Sequence, residues 1–237
     1  YSGGPDSTFL MEVLKGKVNK VILAYFNHNI RKDSEREENF VIEQADRTNL
    51  EIRIGSRNVK EYSENTSLSL EEAAREMRFK FLHEVKESEG ADVIALGHNL
   101  DDQIENFFIR LIRGSGFGLS SMSFKDGCLI RPLLNIRKKN IINYLEENSI
   151  PFYTDPSNRD TGFLRNDIRE NLIPEIERIG DNPLKGIVRS IKNIGDMERA
   201  LQRRVESINI DRYRKHCEVM RKEFDLLYDS EKFLLLT

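Results

Sequence analysis

Cysteine is scarce in this 237-residue chain, and long apolar runs are missing. Two cysteines, Cys128 and Cys217, are too few for a disulfide framework or for a metal site of three or four cysteine ligands. No apolar stretch approaches the roughly 18 residues of a membrane-spanning helix, so no membrane partner is expected. A dominant charge is lacking too. Lys+Arg number 37 against 40 Asp+Glu, leaving −3, which argues against a surface that binds nucleic acid all over. The opening YSGGPDST has neither the basic start nor the apolar run of a signal peptide, and a soluble, cytoplasmic protein is the expectation. There is no internal repeat and no low-complexity segment.

What is present is a polar but foldable chain. Hydrophobic residues are 38% and charged residues 32%, and the apolar ones are clustered, unlike a disordered chain. At about 150 residues per domain, the length suggests one large domain, alone or with a small partner. The charge is unevenly divided. Lys185 to Phe224 carry 11 Lys+Arg and 6 Asp+Glu, an excess of +5, whereas residues 1–184 sum to −6. The chain opens on a Gly-rich loop without a strand before it and ends on the apolar Phe233-Leu234-Leu235-Leu236-Thr237. Residues missing at both ends are therefore expected.

Helical and strand patterns alternate. Ser7 to Leu14 has helical spacing, Val18 to Asn27 is an apolar run of strand length, and Asp33 to Asn49 is helical again. Leu50 to Ile54 alternates like a strand. Ser69 to Glu89 predicts a long amphipathic helix with a Ser69/Glu72 capping box. Asp92 to Gly97 reads as a buried strand and Leu100 to Ile112 as a helix. Such alternation favours a Rossmann-like α/β fold, a parallel sheet with helices on both faces, with ligand loops at the carboxyl edge of the strands. Beyond it come a Gly/Ser loop from Arg113 to Gly118, a short strand at Cys128 to Ile130, a helix from Lys138 to Asn148 and a polar loop from Pro151 to Asn166. Mostly helix is expected after Pro174.

Four segments carry residues suited to chemistry. Ser2-Gly3-Gly4-Pro5-Asp6-Ser7-Thr8 enters a helix, where glycines permit close backbone approach and free amides face an anion. Asp6 is unexpected there, unless it holds magnesium or orients the loop. A plain Gly-Gly turn with a cap is the simpler alternative. Gly97-His98-Asn99-Leu100-Asp101-Asp102-Gln103-Ile104-Glu105-Asn106 opens another helix. Asp102 and Glu105 share a face and suit magnesium or a cationic substrate, or merely complement the helix dipole; Asp101 suits a cap. Arg75 and Arg78 share a face of the long helix, either as an anion grip or as solvated charges. Asn27-His28-Asn29-Ile30-Arg31 follows a strand, where a nucleotide on the first loop would place its adenosine half.

SGGxDS resembles the pyrophosphate loop of PP-loop ATPases, which cleave ATP between the α and β phosphates. It lacks the lysine of G-x-x-x-x-G-K-[ST]. Taken in order, SGGxDS, the His28-x-x-Arg31 loop, Glu71-x-x-Ala74-Arg75-x-x-Arg78-Phe79, GHNLDDQIEN and Arg131-Pro132-Leu133-Leu134 resemble the tRNA(Ile)-lysidine synthase family. So do Asp155-Pro156-Ser157-Asn158 and Arg165-Asn166-Asp167-Ile168-Arg169. The likeness spans roughly residues 2–174, with Asn106, Phe79 and Asn27 departing from the family pattern.

The resemblance implies a carbon–nitrogen ligase that uses ATP and Mg2+. Its partners would be free L-lysine and the isoleucine tRNA with a CAU anticodon, whose wobble cytidine is adenylated at the C2 oxygen before lysine displaces AMP. It implies that Ser2, Gly3, Gly4, Pro5, Asp6, Ser7, His28, Gly97 and His98 bind ATP, with Asp6 near the metal. Arg75, Arg78, Asp102, Glu105 and Arg113 would bind substrate, and Asp6, Arg78, Asp102 and Glu105 would be catalytic. Residues 1–178 would be the catalytic domain and 179–237 a basic, mainly helical tRNA-contacting domain; a homodimer stays open. One rival is a PP-loop tRNA thiolase, which commonly carries a Cys-x-x-Cys pair that this sequence lacks. Another is a non-catalytic nucleotide- or RNA-binding module, against which Asp6, Asp102 and Glu105 are all retained.

Overall fold

The apolar run after Lys20 forms β1, Ile22–Asn27, in a computed structural model. The model describes residues 1–28, 34–115, 118–120, 122–154, 164–206, 210–212, 217–219 and 228–229. The strand starts later than the sequence run, because Val18 is exposed in the preceding turn. β1 pairs in parallel with β2, Glu51–Ser56, in register from Ile22 opposite Glu51 to Asn27 opposite Ser56. Parallel neighbours need a crossover, and α2, Ser34–Thr48, supplies it. Side chains alternate across a strand, so β1 serves two layers. On one face Leu23 packs with Ala45 of α2 and with Met11 of α1, Pro5–Leu14. On the other, Phe26 packs with Val59, Ala73 and Met77, from α3, Val59–Thr66, and α4, Leu70–Ser88. The expected capping box opens α4, with the Ser69 and Glu72 side chains each bound to the other's backbone N–H. The α3 helix was not anticipated; Asn58 caps it by accepting from the Glu61 N–H.

The buried strand expected at Asp92 to Gly97 is shorter, with only Ile94–Ala95 (β3) in a ladder. Val93 is exposed. Lys125–Asp126 forms β4 and Leu129–Ile130 forms β5. β3 pairs in parallel with β5, and β5 in antiparallel with β4. α6, Lys138–Glu147, packs through Ile141 and Leu145 on Phe9 and Leu10 of α1, with Leu133 between them. Replacing fully buried Leu145 by Ala would cost about 2–5 kcal/mol. α1 is thereby held from two sides, which fixes its amino end, where the glycines lie.

The chain divides into two compact units, residues 1–103 with 122–160 and residues 104–121 with 161–237. The units interleave along the chain. α5, Leu100–Ile112, runs across the boundary. The second unit contains α7, Leu164–Asp167, a π-helical turn, Ile168–Leu172, and α8, Ile173–Arg178. The long α9, Pro183–Glu206, follows. Two short strands, β6 (Ile210–Arg212) and β7 (Cys217–Val219), pair antiparallel in a segment expected to be mostly helix. Among the described residues no helix is long and apolar enough to cross a membrane.

Candidate active site

The glycine loop is held from within. Gly3 has φ +72°, a conformation L side chains rarely adopt, and a Cβ there would lie 3.0 Å from Phe40 Cδ1. Gly4 is the N-cap of α1, and Pro5 follows at the helix start, where a missing N–H is tolerated. The Gly3 carbonyl accepts from Tyr153 N (2.8 Å) and from Thr8 Oγ1 (3.1 Å). The Gly4 carbonyl accepts from Ser7 Oγ at 3.0 Å, and Ser7 Oγ accepts from Ser2 N at 3.2 Å. The loop's carbonyls thus face protein donors. The first-turn amides of α1 have no intrahelical acceptor and suit an anion.

The GHNLDDQ segment meets this loop directly. A Cβ on Gly97 would lie 3.3 Å from Asp6 C and Ser7 N, so only glycine fits without displacement. Asn99, 3% exposed, donates from Nδ2 to Asp6 Oδ1 at 2.9 Å. Asn99 also caps α5: its Oδ1 accepts from Asp102 N at 3.1 Å, and Asp102 Oδ2 accepts from Asn99 N at 2.9 Å. The cap proposed for Asp101 therefore belongs to Asn99, with Asp102 reciprocating. Asp101 turns to α6 instead, accepting from Arg137 Nε (3.0 Å) and Lys138 N (2.6 Å). The other oxygen of Asp6, Oδ2, accepts from Lys138 Nζ at 2.5 Å. Both Asp6 oxygens already take donors, and among the described residues no group of three or more His, Cys, Asp or Glu is arranged for a metal ion. A magnesium ion bound by Asp6 would have to share its oxygens with, or displace, the Lys138 ammonium and the Asn99 amide.

A cationic cluster lies on α4. The guanidinium carbons of Arg75 and Arg78 lie 5.0 and 5.6 Å from the Phe79 ring centroid, so Phe79 serves both as a cation–π platform. Arg78 Nε and His28 Nδ1 are buried and have no hydrogen-bond partner among the described residues. Burial lowers the His28 pKa, with the Arg78 charge adding to it, and burial together with Arg75 lowers that of Arg78. The Phe26 ring meets His28 edge-on at 5.0 Å. Such unpartnered polar atoms beside two positive charges suit an anionic group. His98 is partly buried next to Gly97.

In the second unit Glu105 is fully buried. Arg169 binds it in two places, Nε to Oε1 at 2.6 Å and Nη2 to Oε2 at 3.0 Å, and Arg165 Nε approaches Oε2 at 3.4 Å. Arg169 projects from the π-helical turn, a feature that often marks functional positions. Arg113 is exposed at the end of α5. Gly118 N donates to Glu198 Oε1 at 2.7 Å, and Arg110 binds the Gly118 and Ser120 carbonyls, which ties down the Gly118 end of the Gly/Ser loop. Arg31 and Asp155 to Asn158 lie outside the described residues.

Two residues of this site were not anticipated, Asn99 and Lys138. Asn99 stands in a segment already singled out, but its acids drew attention away from it. Lys138 had a readable signal. Arg137, Lys138 and Lys139 are three basic residues at a helix start, where the macrodipole disfavours positive charge.

A family model for the PP-loop domain matches residues 1–176, and the chain belongs to that family. Among its relatives, the tRNA(Ile)-lysidine synthase of Thermosipho africanus is 38% identical over 205 residues, which are 83% of this chain and 47% of that protein. The tRNA(Ile)-lysidine synthase of Clostridioides difficile is 32% identical over an alignment of 247 positions, gaps included, that covers 99% of this chain and 54% of that protein. The chain spans about half the length of the curated relatives it matches. Among solved structures, the U34-tRNA thiolase NcsA from Methanococcus maripaludis, with its 4Fe-4S cluster, has a TM-score of 0.67. It is 21% identical, with 81% of this chain and 70% of that chain covered, a likeness of fold.

Proposed function

We propose that this protein is an ATP-dependent ligase that joins free lysine to C2 of the wobble cytidine in the CAU-anticodon isoleucine tRNA. The observation that carries the reading is the seating of the GHNLDDQ segment on the SGGPDS loop through Gly97 and Asn99. The curated relatives, named tRNA(Ile)-lysidine synthase, support this reading and not the thiolase or a non-catalytic module.

The chemistry follows from the residue types. The cytidine C2 oxygen attacks the α-phosphorus of ATP, and the α–β bridging bond breaks with its electron pair leaving on pyrophosphate. The adenylated oxygen is then a good leaving group, and the lysine amine displaces AMP. Ser2, Gly3, Gly4, Pro5 and Ser7 cradle the pyrophosphate, with Gly97 and His98 behind the loop and His28 toward the nucleoside. Magnesium, if it accompanied the nucleotide, would supply neutralisation of phosphate charge. Arg75 and Arg78, stacked on Phe79, take an anionic group, either the α-phosphate or the lysine carboxylate. Asp102 is assigned to a lysine ammonium group and Arg113 to the tRNA side, while buried Glu105 positions Arg169. Residues 1–178 form the catalytic domain and 179–237 meet tRNA phosphates through their basic excess.

The test is incubation with ATP, labelled lysine and isoleucine tRNA. Label in the tRNA with stoichiometric AMP is expected. AMP release without incorporated label would sink the ligase reading. For the acids, Asp102→Asn should raise the lysine requirement about tenfold and the ATP requirement less than twofold; an equal rise in both would remove Asp102 from the lysine site.

A further inference from the structure

The glycine loop lacks a lysine of its own, yet a lysine stands beside it. Lys138 opens α6, flanked by Arg137 and Lys139, where the helix dipole disfavours positive charge. Asp101 offsets this by binding the Lys138 backbone N–H and the Arg137 guanidinium. The Lys138 side chain runs the other way, to Asp6 Oδ2, in the first turn of α1. An ammonium has three donors. Asp6 takes one, and the side chain is 35% exposed, so the remaining donors are accessible. Asp6 is itself fixed from behind by buried Asn99, which leaves the flexible lysine stem as the movable half of the pair.

We propose that Lys138 is the phosphate-facing cation of this loop, supplied from α6 rather than from the loop's own sequence, and that Asp6 is its counter-ion rather than a metal ligand. The inference rests on reading the loop as a pyrophosphate cradle. When the α–β bridging bond breaks, negative charge develops on the leaving pyrophosphate at the amino end of α1. An ammonium poised there stabilises that charge without reorganisation. Asp6 sets its position, and four methylene groups let it follow the phosphate by a few ångströms. The same arrangement explains an acid in a phosphate loop: its charge is matched by Lys138 and does not repel the nucleotide.

The test uses the intact protein and three variants, Lys138→Met, Lys138→Arg and Asp6→Asn. Calorimetry with a non-hydrolysable α,β-methylene ATP analogue should show about tenfold weaker binding for Lys138→Met and substantial recovery in Lys138→Arg. AMP release should fall about 100-fold in Lys138→Met, with the KM for lysine within about twofold of the parent. Manganese titrated without nucleotide and followed by electron paramagnetic resonance should show no tight site in the parent protein. Parent-like binding and turnover in Lys138→Met would overturn the proposal, as would a tight manganese site lost in Asp6→Asn. Should Lys138→Met melt early, Lys138→Gln keeps the contact to Asp6 without the charge, and parent-like analogue binding by it is equally fatal. A parent protein that neither binds the analogue nor releases AMP would bring down the PP-loop reading together with this one; a working parent with an indifferent Lys138→Met removes this one alone.

Discussion

Asp6 in the first unit and Glu105 in the second are both acids in recognisable motifs, yet they are held in opposite ways. The Asp6 side chain is 27% exposed and faces one lysine ammonium and one asparagine amide. Glu105 is 0% exposed and faces two guanidinium groups, one of them bidentate. A lysine on a four-carbon stem is a point charge that can move, whereas the arginine fork fixes two hydrogen bonds in one plane. The first arrangement suits a group whose partner changes during a reaction. The second suits a fixed anchor for the π-helical turn that carries Arg169. An acid in a motif is therefore not one kind of thing; its burial and its partner decide what it does.

The largest effect expected from this contrast is on stability. Arg169→Ala should destabilise by about 3 kcal/mol, because it removes the bidentate partner of a fully buried carboxylate. Glu105→Gln should cost less, since the Arg169 and Arg165 side chains are 40% and 48% exposed and can reach water. Lys138→Met should cost under about 1 kcal/mol, as the pair it breaks is partly solvated. Urea unfolding of the three variants checks the order. If Lys138→Met proves as damaging as Arg169→Ala, the contrast between movable and fixed charge is wrong.

Next in size is Asn99→Ala. It removes the α5 cap, worth about 1 kcal/mol, and a buried hydrogen bond to Asp6, worth about as much. A loss near 2 kcal/mol is expected, together with weaker binding of the ATP analogue because Asp6 then depends on Lys138 alone. A loss of about 1 kcal/mol with unchanged nucleotide binding would make Asn99 a cap and nothing more.

These residues also show what could be read beforehand. The alternation of helix and strand, the Ser69/Glu72 capping box and the glycine loop rest on local rules, so they were legible in sequence. Asn99 bonds to Asp6 across 93 residues and Lys138 across 132, and no local pattern encodes such partnerships. Glu105 was read with Asp102 because they share a helix face, but face-sharing does not report burial. Its pairing depends on Arg165 and Arg169, about 60 residues on, which bring it into an arginine cage that spacing alone could not show. The short β3 ladder at Ile94–Ala95 was overread for a similar reason, since an apolar run says what is buried and not how far its hydrogen bonds extend.

His28 lies between the two extremes, a half-buried group beside the Arg78 cation. Burial, reinforced by Arg78, holds its pKa below the ordinary value of 6.5. The unfolded chain therefore takes up a proton at this residue before the folded one does. Stability that is fully present above about pH 6.5 is lost as the pH falls toward the lowered folded value. His28→Gln should lack this increment, so the acid side of its stability–pH curve should be flatter than the parent's. Binding of an anion at Arg78 should act in the opposite direction to burial, screening the guanidinium and raising the His28 pKa. The imidazole C–H resonances followed by NMR, with and without the ATP analogue, measure that directly. An upward shift on binding would place the anion beside Arg78, and an unchanged midpoint would move it elsewhere and leave the Arg75–Arg78 pair as a structural stack on Phe79.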